Sequence, residues 1–197
     1  FEALEQIIVS YEEIYQNRNS KSFSKSQNKK IKDNSLHYET KILANICFSN
    51  LTSQSRYTTI CKISANKSKY FQVSESEFVE KFINTYRTRF SEFKEKNEFI
   101  FKNFFINEFI KNIEGLISSK DFFDDLIREV ILFLSLTNFL LVCQLFEENK
   151  KLTINSYVEI LSAVIKKIQS SHQKKNIKSF LKKLDNNNLF KRLVDLY

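Results

Sequence analysis

One glycine, Gly115, and no proline in 197 residues set the limits on what this chain can build. Glycine opens the left-handed backbone region and lets the main chain approach a ligand closely. Phosphate-cradling loops, the dinucleotide fingerprint and the nucleophile elbow each need more than one such position. None of them can be written around Gly115 alone. The residue that most strongly ends a helix is also missing. Long helices and a role in holding a partner, with no catalysis and no cofactor, are the expectation.

Twenty Phe and eight Tyr, with no Trp and no Met, make the apolar supply unusually aromatic. Phe, Tyr, Ile, Lys and Asn all have AT-rich codons, which accounts for the skew. The absent methionine is expected of a fragment or a processed chain. A chain this long buries roughly 70% of its unfolded surface, so no staple is required. Cys47, Cys61 and Cys143 are too few and too scattered for zinc, with only His37 and His172 to join them. They read as reduced thiols of an intracellular protein without a signal peptide. Both histidines read as surface residues.

Leu4, Ile7, Ile8, Tyr11, Ile14 and Tyr15 share one stripe of an amphipathic helix near the start. Residues 17–35 are rich in Ser, Lys and Asn without a period, and are expected to be a flexible basic loop. Residues 36–48 admit two assignments. Leu36, Tyr38, Thr40, Ile42, Ala44, Ile46 and Phe48 alternate as in a strand, while Ile42, Leu43, Ile46 and Cys47 form a helical stripe behind Ser35. Next come YTTICKIS and KYFQVS, two β-branched and aromatic runs separated by ANKS, which predict a β-hairpin with Asn66 in its turn.

From Ser74 onward the period is helical. Ser74 and Glu77 are spaced as a capping box, and Phe78, Phe82, Tyr86, Phe90 and Phe93 follow on one face. A second helix is expected over residues 98–118, with Ile100, Phe104, Phe105, Phe109, Ile110, Ile113, Leu116 and Ile117 inward. A third helix is expected to start near Asp121 and to include residues 130–146, the most apolar run of the chain. Ser135, Thr137, Asn138 and Gln144 interrupt that run, which favours a central helix surrounded by protein over a membrane span. Asp121, Asp124 and Asp125 before it complement a helix N-terminus, and no second acidic cluster faces them to complete a magnesium site. A fourth helix is expected from Ser156, with Tyr157, Leu161, Val164, Ile165 and Ile168 on its inner face.

The segment TTICKISANKSKYFQVSESEFVEKF, two short strands and then a capped helix, resembles the wing of a winged helix followed by the first helix of a second domain. Such tandem winged helices occur in the C-terminal region of the Stn subunit of the CST telomere-capping complex, and the similarity covers about residues 56–83. The resemblance implies a non-enzymatic module that docks on partner proteins of a telomere or telomerase assembly, with nucleic-acid contact secondary.

The net charge of +8 lies toward the ends of the chain. At the C-terminal end Lys166, Lys167, Lys174, Lys175, Lys178, Lys182, Lys183, Lys191 and Arg192 form the candidate contact set for nucleic acid or an acidic partner. With lysine so dominant over arginine, contact would be to the phosphate backbone and not to base edges. A solvated lysine face serving only solubility is the competing account.

The expected fold class is therefore mainly α with a small antiparallel β element, a winged-helix unit joined to a helical bundle. Residues 1–80 would hold the N-terminal helix, the loop and the hairpin, and residues 81–197 the helical domain. The expected function is a non-enzymatic protein–protein interaction module of a nucleic-acid-maintenance complex in the nucleus. Its partners would be other protein subunits and a nucleic-acid backbone, with no membrane. A purely helical adaptor without nucleic acid is the alternative.

Overall fold

The computed structural model describes residues 25–49, 51–112, 120–147, 149 and 151–170. The chain divides into two compact units, Phe1–Asn34 and Ser35–Tyr197. Of the first, residues 25–34 are described and are helical. The second holds the core.

Every regular element among the described residues is helical. They are α1 (Lys25–Phe48), α2 (Arg56–Lys67), α3 (Glu75–Thr85), a π-helical segment (Tyr86–Phe90), α4 (Ser91–Lys96), α5 (Glu98–Lys111), α6 (Lys120–Gln144) and α7 (Ile154–Gln169). The expected β-hairpin is absent from the described residues, and the winged-helix unit falls with it. YTTICKIS is most of α2. Thr58, Ile60, Cys61, Ser64 and Ala65 recur every three or four residues and are the buried set, so a helical period lies beneath the β-branched composition. Propensity for strand is a weak preference that burial of a whole face overrides.

Both ends of α2 carry their own signals. The Ser55 hydroxyl accepts from the Thr58 backbone N–H at 3.2 Å, which caps the first turn. At the other end the Lys69 N–H donates to the Asn66 carbonyl at 3.1 Å and the Tyr70 N–H to the Ala65 carbonyl at 3.0 Å. That pair of bonds is the Schellman arrangement that ends a helix. Its left-handed residue is Lys69, with φ of 54°, and not Asn66. ANKS is a helix terminus, and KYFQVS is a run of turns leading to Ser74.

Helix α1 settles the ambiguity at residues 36–48. Glu39, Thr40, Leu43, Ala44, Cys47 and Phe48 are buried in pairs one turn apart, while Tyr38 is exposed. The helix also begins at Lys25, inside the stretch expected to be a loop. Lysine tolerates helix well, and the segment contains neither glycine nor proline to stop it.

The Ser74 hydroxyl accepts from the Glu77 N–H at 3.3 Å and starts α3. Phe78, Phe82, Tyr86, Phe90 and Phe93 then follow one another through the π-helical segment, with neighbouring ring centroids between 5.4 and 6.5 Å apart. A π turn needs more residues per revolution than an α turn, so side chains spaced by four stay in line across it. The ladder continues onto α7, where the Phe93 and Phe101 rings lie 6.2 and 5.1 Å from that of Tyr157.

Helix α6 is the axis of the bundle, packed by α2, α3, α5 and α7. By length and composition its residues 125–144 would suffice to cross a membrane, yet 83% of the most apolar window is buried inside the protein. Phe139 shows how the neighbours close around it, with the rings of Phe48 and Phe82 at 5.5 and 5.2 Å. The Ser64 hydroxyl of α2 donates to the Leu140 carbonyl and accepts from the Gln144 side-chain amide, both at 3.3 Å. The Arg89 guanidinium donates to the carbonyls of Leu145 and Glu147 and so holds the chain just past the end of α6.

Helix α7 begins earlier than expected. Thr153 is its N-cap, in a reciprocal capping box with Ser156, and Tyr157, Leu161, Val164 and Ile168 face inward. Helix α5 is apolar on several sides, which defeats periodicity. Phe101 and Phe109 are buried, whereas Ile110, expected inward, is exposed.

Candidate functional site

Three helices bring the three cysteines together. Cys47 lies in the last turn of α1, Cys61 in the middle of α2 and Cys143 in the last turn of α6, all free thiols and all buried. Tyr57, one turn before Cys61, donates its hydroxyl to the Cys47 sulfur at 3.7 Å.

The three thiols differ electrostatically. Burial pushes Cys47 and Cys143 well above the ordinary thiol range, and in Cys143 the Ser68 hydrogen bond opposes that rise. Cys61 moves the other way. The hydrogen bond from Cys47 stabilises its thiolate, Tyr57 adds a second donor, and the Lys167 ammonium adds a favourable charge. Burial also raises the Tyr57 hydroxyl, and the neighbouring thiols add to it. Among the described cysteines Cys61 is the one whose ionised form the fold favours, and it is fully enclosed.

Of the nine basic residues expected to contact a partner, two are described. Lys166 is exposed on α7, while Lys167 is half-buried on the side that faces Cys61. Lys174, Lys175, Lys178, Lys182, Lys183, Lys191 and Arg192 lie outside the described residues. His37 is half-buried on α1, and His172 lies outside. Among the described residues no group of three His, Cys, Asp or Glu side chains is arranged to hold a metal ion.

The thiol cluster is not legible in the sequence. Cys47, Cys61 and Cys143 have no common spacing, and assigning residues 57–64 to a strand hides that Tyr57 and Cys61 are helical neighbours.

A second feature lies on α5. Phe99, Ile106 and Ile110 are exposed by 53%, 44% and 51%. Their spacing of seven and four places them along one face. Asn103 and Asn107, also exposed, lie between them, and the Lys102–Glu98 ion pair is at the same end as Phe99. Scattered exposed apolar residues are ordinary, but three on one face form a stripe.

The family model of the FliB lysine N-methylase C-terminal domain matches residues 1–193. Neither the curated proteins nor the solved structures contain a match. The family finding overturns the resemblance to the telomere-capping subunit, whose structural basis, the hairpin, is a helix followed by a run of turns. It also overturns the expectations of a nucleic-acid-maintenance module, of a chain apart from any enzyme, and of a nuclear location, because the match is to a domain of a bacterial methylase. Scarcity of glycine misleads here, since it bears on what loops one segment can build and not on the enzyme to which a helical domain belongs. With a single model covering nearly its whole length, the chain belongs to the FliB lysine N-methylase C-terminal domain family.

Proposed function

We propose that this chain serves a flagellin lysine N-methylase as its C-terminal domain, and that the stripe on α5 helps to hold the flagellin substrate. The family match carries the first part. The exposed row of Phe99, Ile106 and Ile110 supports the second.

Methyl transfer needs the lysine nitrogen's lone pair, and a free lysine at neutral pH is protonated, with an ordinary pKa of about 10.4. A carboxylate beside the target amine would hold that proton on and blunt the nucleophile. Apolar contact made away from the lysine captures the substrate without this penalty. An apolar row flanked by asparagines suits such a purpose, because the apolar groups give affinity and the amides give hydrogen bonds.

The test is kinetic. In the whole methylase, Phe99→Ser, Ile106→Ser and Ile110→Ser together should raise KM for flagellin at least about tenfold, the effect of losing one or more contact residues worth over about 1 kcal/mol. The value of kcat should change little, because the residues are exposed and none is assigned to the chemical step. An unchanged KM would remove α5 from substrate binding. Unmethylated flagellin from the unaltered enzyme would remove the methylase assignment itself.

A further inference from the structure

With the exposed Asn103 included, the row on α5 reads Phe99, Asn103, Ile106 and Ile110, at intervals of four, three and four. That alternation is the seam of a heptad repeat. Phe99 and Ile106 take one of its two inner positions, and Asn103 and Ile110 take the other. From Phe99 to Ile110 the seam rises about 16 Å, at 1.5 Å per residue.

The opposite side of α5 is fixed to the core. Phe101 and Phe109 are buried, and the rings of Phe101 and Phe104 lie 5.1 Å from Tyr157 and 6.4 Å from Phe133. Along the helix Lys102 pairs with Glu98 at 3.1 Å and Lys111 with Glu108 at 2.7 Å, so both cations are matched within α5 itself. The seam is held from behind and is flanked by balanced charge.

We propose that the occupant of this seam is a helical segment of the flagellin substrate, about two heptads long, with apolar residues at the same alternating spacing and an uncharged polar residue facing Asn103. This rests on the reading of the stripe as a substrate surface and names the form of substrate that fits it.

A helix suits the surface where an extended segment does not. Among the described residues there is no strand, and so no open sheet edge to receive an extended chain. Laid on Phe99, Ile106 and Ile110, such a chain would lose the water on its N–H and C=O groups, with only the Asn103 and Asn107 amides to replace it. A helix arrives with those groups already paired, and its side chains meet the seam at intervals of three and four. A single asparagine at an inner heptad position also fixes register, which would present the same part of the substrate each time.

A second copy of this chain is a poorer occupant. Four exposed side chains offer roughly a few hundred Å², since even a fully covered aromatic side chain accounts for about 150–250 Å². Stable dimers bury about 1,200–2,000 Å² in all. A contact this small is short-lived, as a substrate that must leave after each methyl transfer requires.

The experiment uses the whole methylase and unmethylated flagellin. Phe99, Ile106 and Ile110 are replaced one at a time by the photocrosslinker p-benzoylphenylalanine, the mixtures are irradiated, and the joined peptides are mapped by mass spectrometry. The crosslinks should fall on one flagellin segment, with the attachment sites from positions 99 and 110 about eleven residues apart, the number a helix needs to cover the seam. An extended segment covers the same length in about five. A separation of about five, or adducts scattered over several segments, would overturn the helical occupant and leave the stripe as a substrate surface. No flagellin adduct from any of the three positions, or adducts to a second methylase chain alone, would overturn the reading of the stripe and the proposal with it. A proline scan of flagellin against the unaltered methylase decides the matter even where an introduced ring disturbs folding. Proline within one segment of about two heptads should raise KM at least about tenfold, because it breaks the helix, and a scan without such a segment would overturn the proposal.

Discussion

Lys69 ends α2 in the left-handed region, a place where a side chain clashes with its own backbone and where glycine is the usual occupant. Its exposed position leaves nothing of the side chain to lose. Lys69→Gly should therefore stabilise the protein, by about 1 kcal/mol, read as a higher denaturation midpoint with unchanged slope. The opposite case is the buried hydroxyl. Ser135 Oγ, Thr137 Oγ1, Asn138 Oδ1 and the Tyr157 hydroxyl are enclosed and find no partner among the described residues. A buried polar group without a hydrogen bond costs about 1–3 kcal/mol. Tyr157→Phe keeps the ring against Phe93 and Phe101 and removes the hydroxyl. It should be neutral or stabilising by thermal melt, whereas a loss of about 2 kcal/mol or more would mean that the hydroxyl is satisfied.

The thiols give the molecule a pH dependence with a definite sign. Cys47 and Cys143 stay protonated in the fold above the pH at which they ionise in the unfolded chain, about 8.5, and the raised hydroxyls of Tyr57 and Tyr157 act likewise above about 10. The unfolded state then binds fewer protons than the folded state, so stability falls as pH rises. Cys61, whose thiolate the fold favours, contributes in the opposite sense above about pH 8.5 and offsets part of the loss. Urea midpoints measured from about pH 7.5 to about pH 10, the window spanned by those ordinary values, should decline, and a flat profile would show that the thiols are not enclosed as described.

At the scale of elements, Arg89 links the π-helical segment to the chain just past the end of α6 by donating to the Leu145 and Glu147 carbonyls. Charge-assisted bonds of this kind contribute about 1.5–3 kcal/mol each. Arg89→Ala should lower stability by a comparable amount. Leu140→Ala in fully buried surroundings should cost about 2–5 kcal/mol. Equilibrium unfolding reads both.

Helices with one clean face are legible from the order of residues alone. Those at α3, α6 and α7 announce themselves by apolar spacing, and Ser74 reads as the cap that it is. The failures have a common cause. In α2 the residues Tyr57, Thr58, Thr59, Ile60 and Ile63 favour strands locally, and only burial against α6 and α7 makes their helical period decisive. In α5, eight apolar residues of fourteen leave no polar face to set the phase, so spacing puts Ile110 on the wrong side. The thiol cluster depends on three helices meeting, and pairwise spacing along the chain carries no trace of that.

For the molecule as a whole, the family match alone carries the assignment. The helical body packs its aromatic core around α6, and the exposed α5 stripe is the surface proposed above for the protein substrate. Intact-mass analysis of flagellin tests the methylase assignment, with flagellin taken from cells that make the whole methylase with this domain and from cells that make it without. A ladder of methyl increments on lysine is expected in the first sample, and its loss or marked reduction in the second. The same ladder in both samples would contradict it.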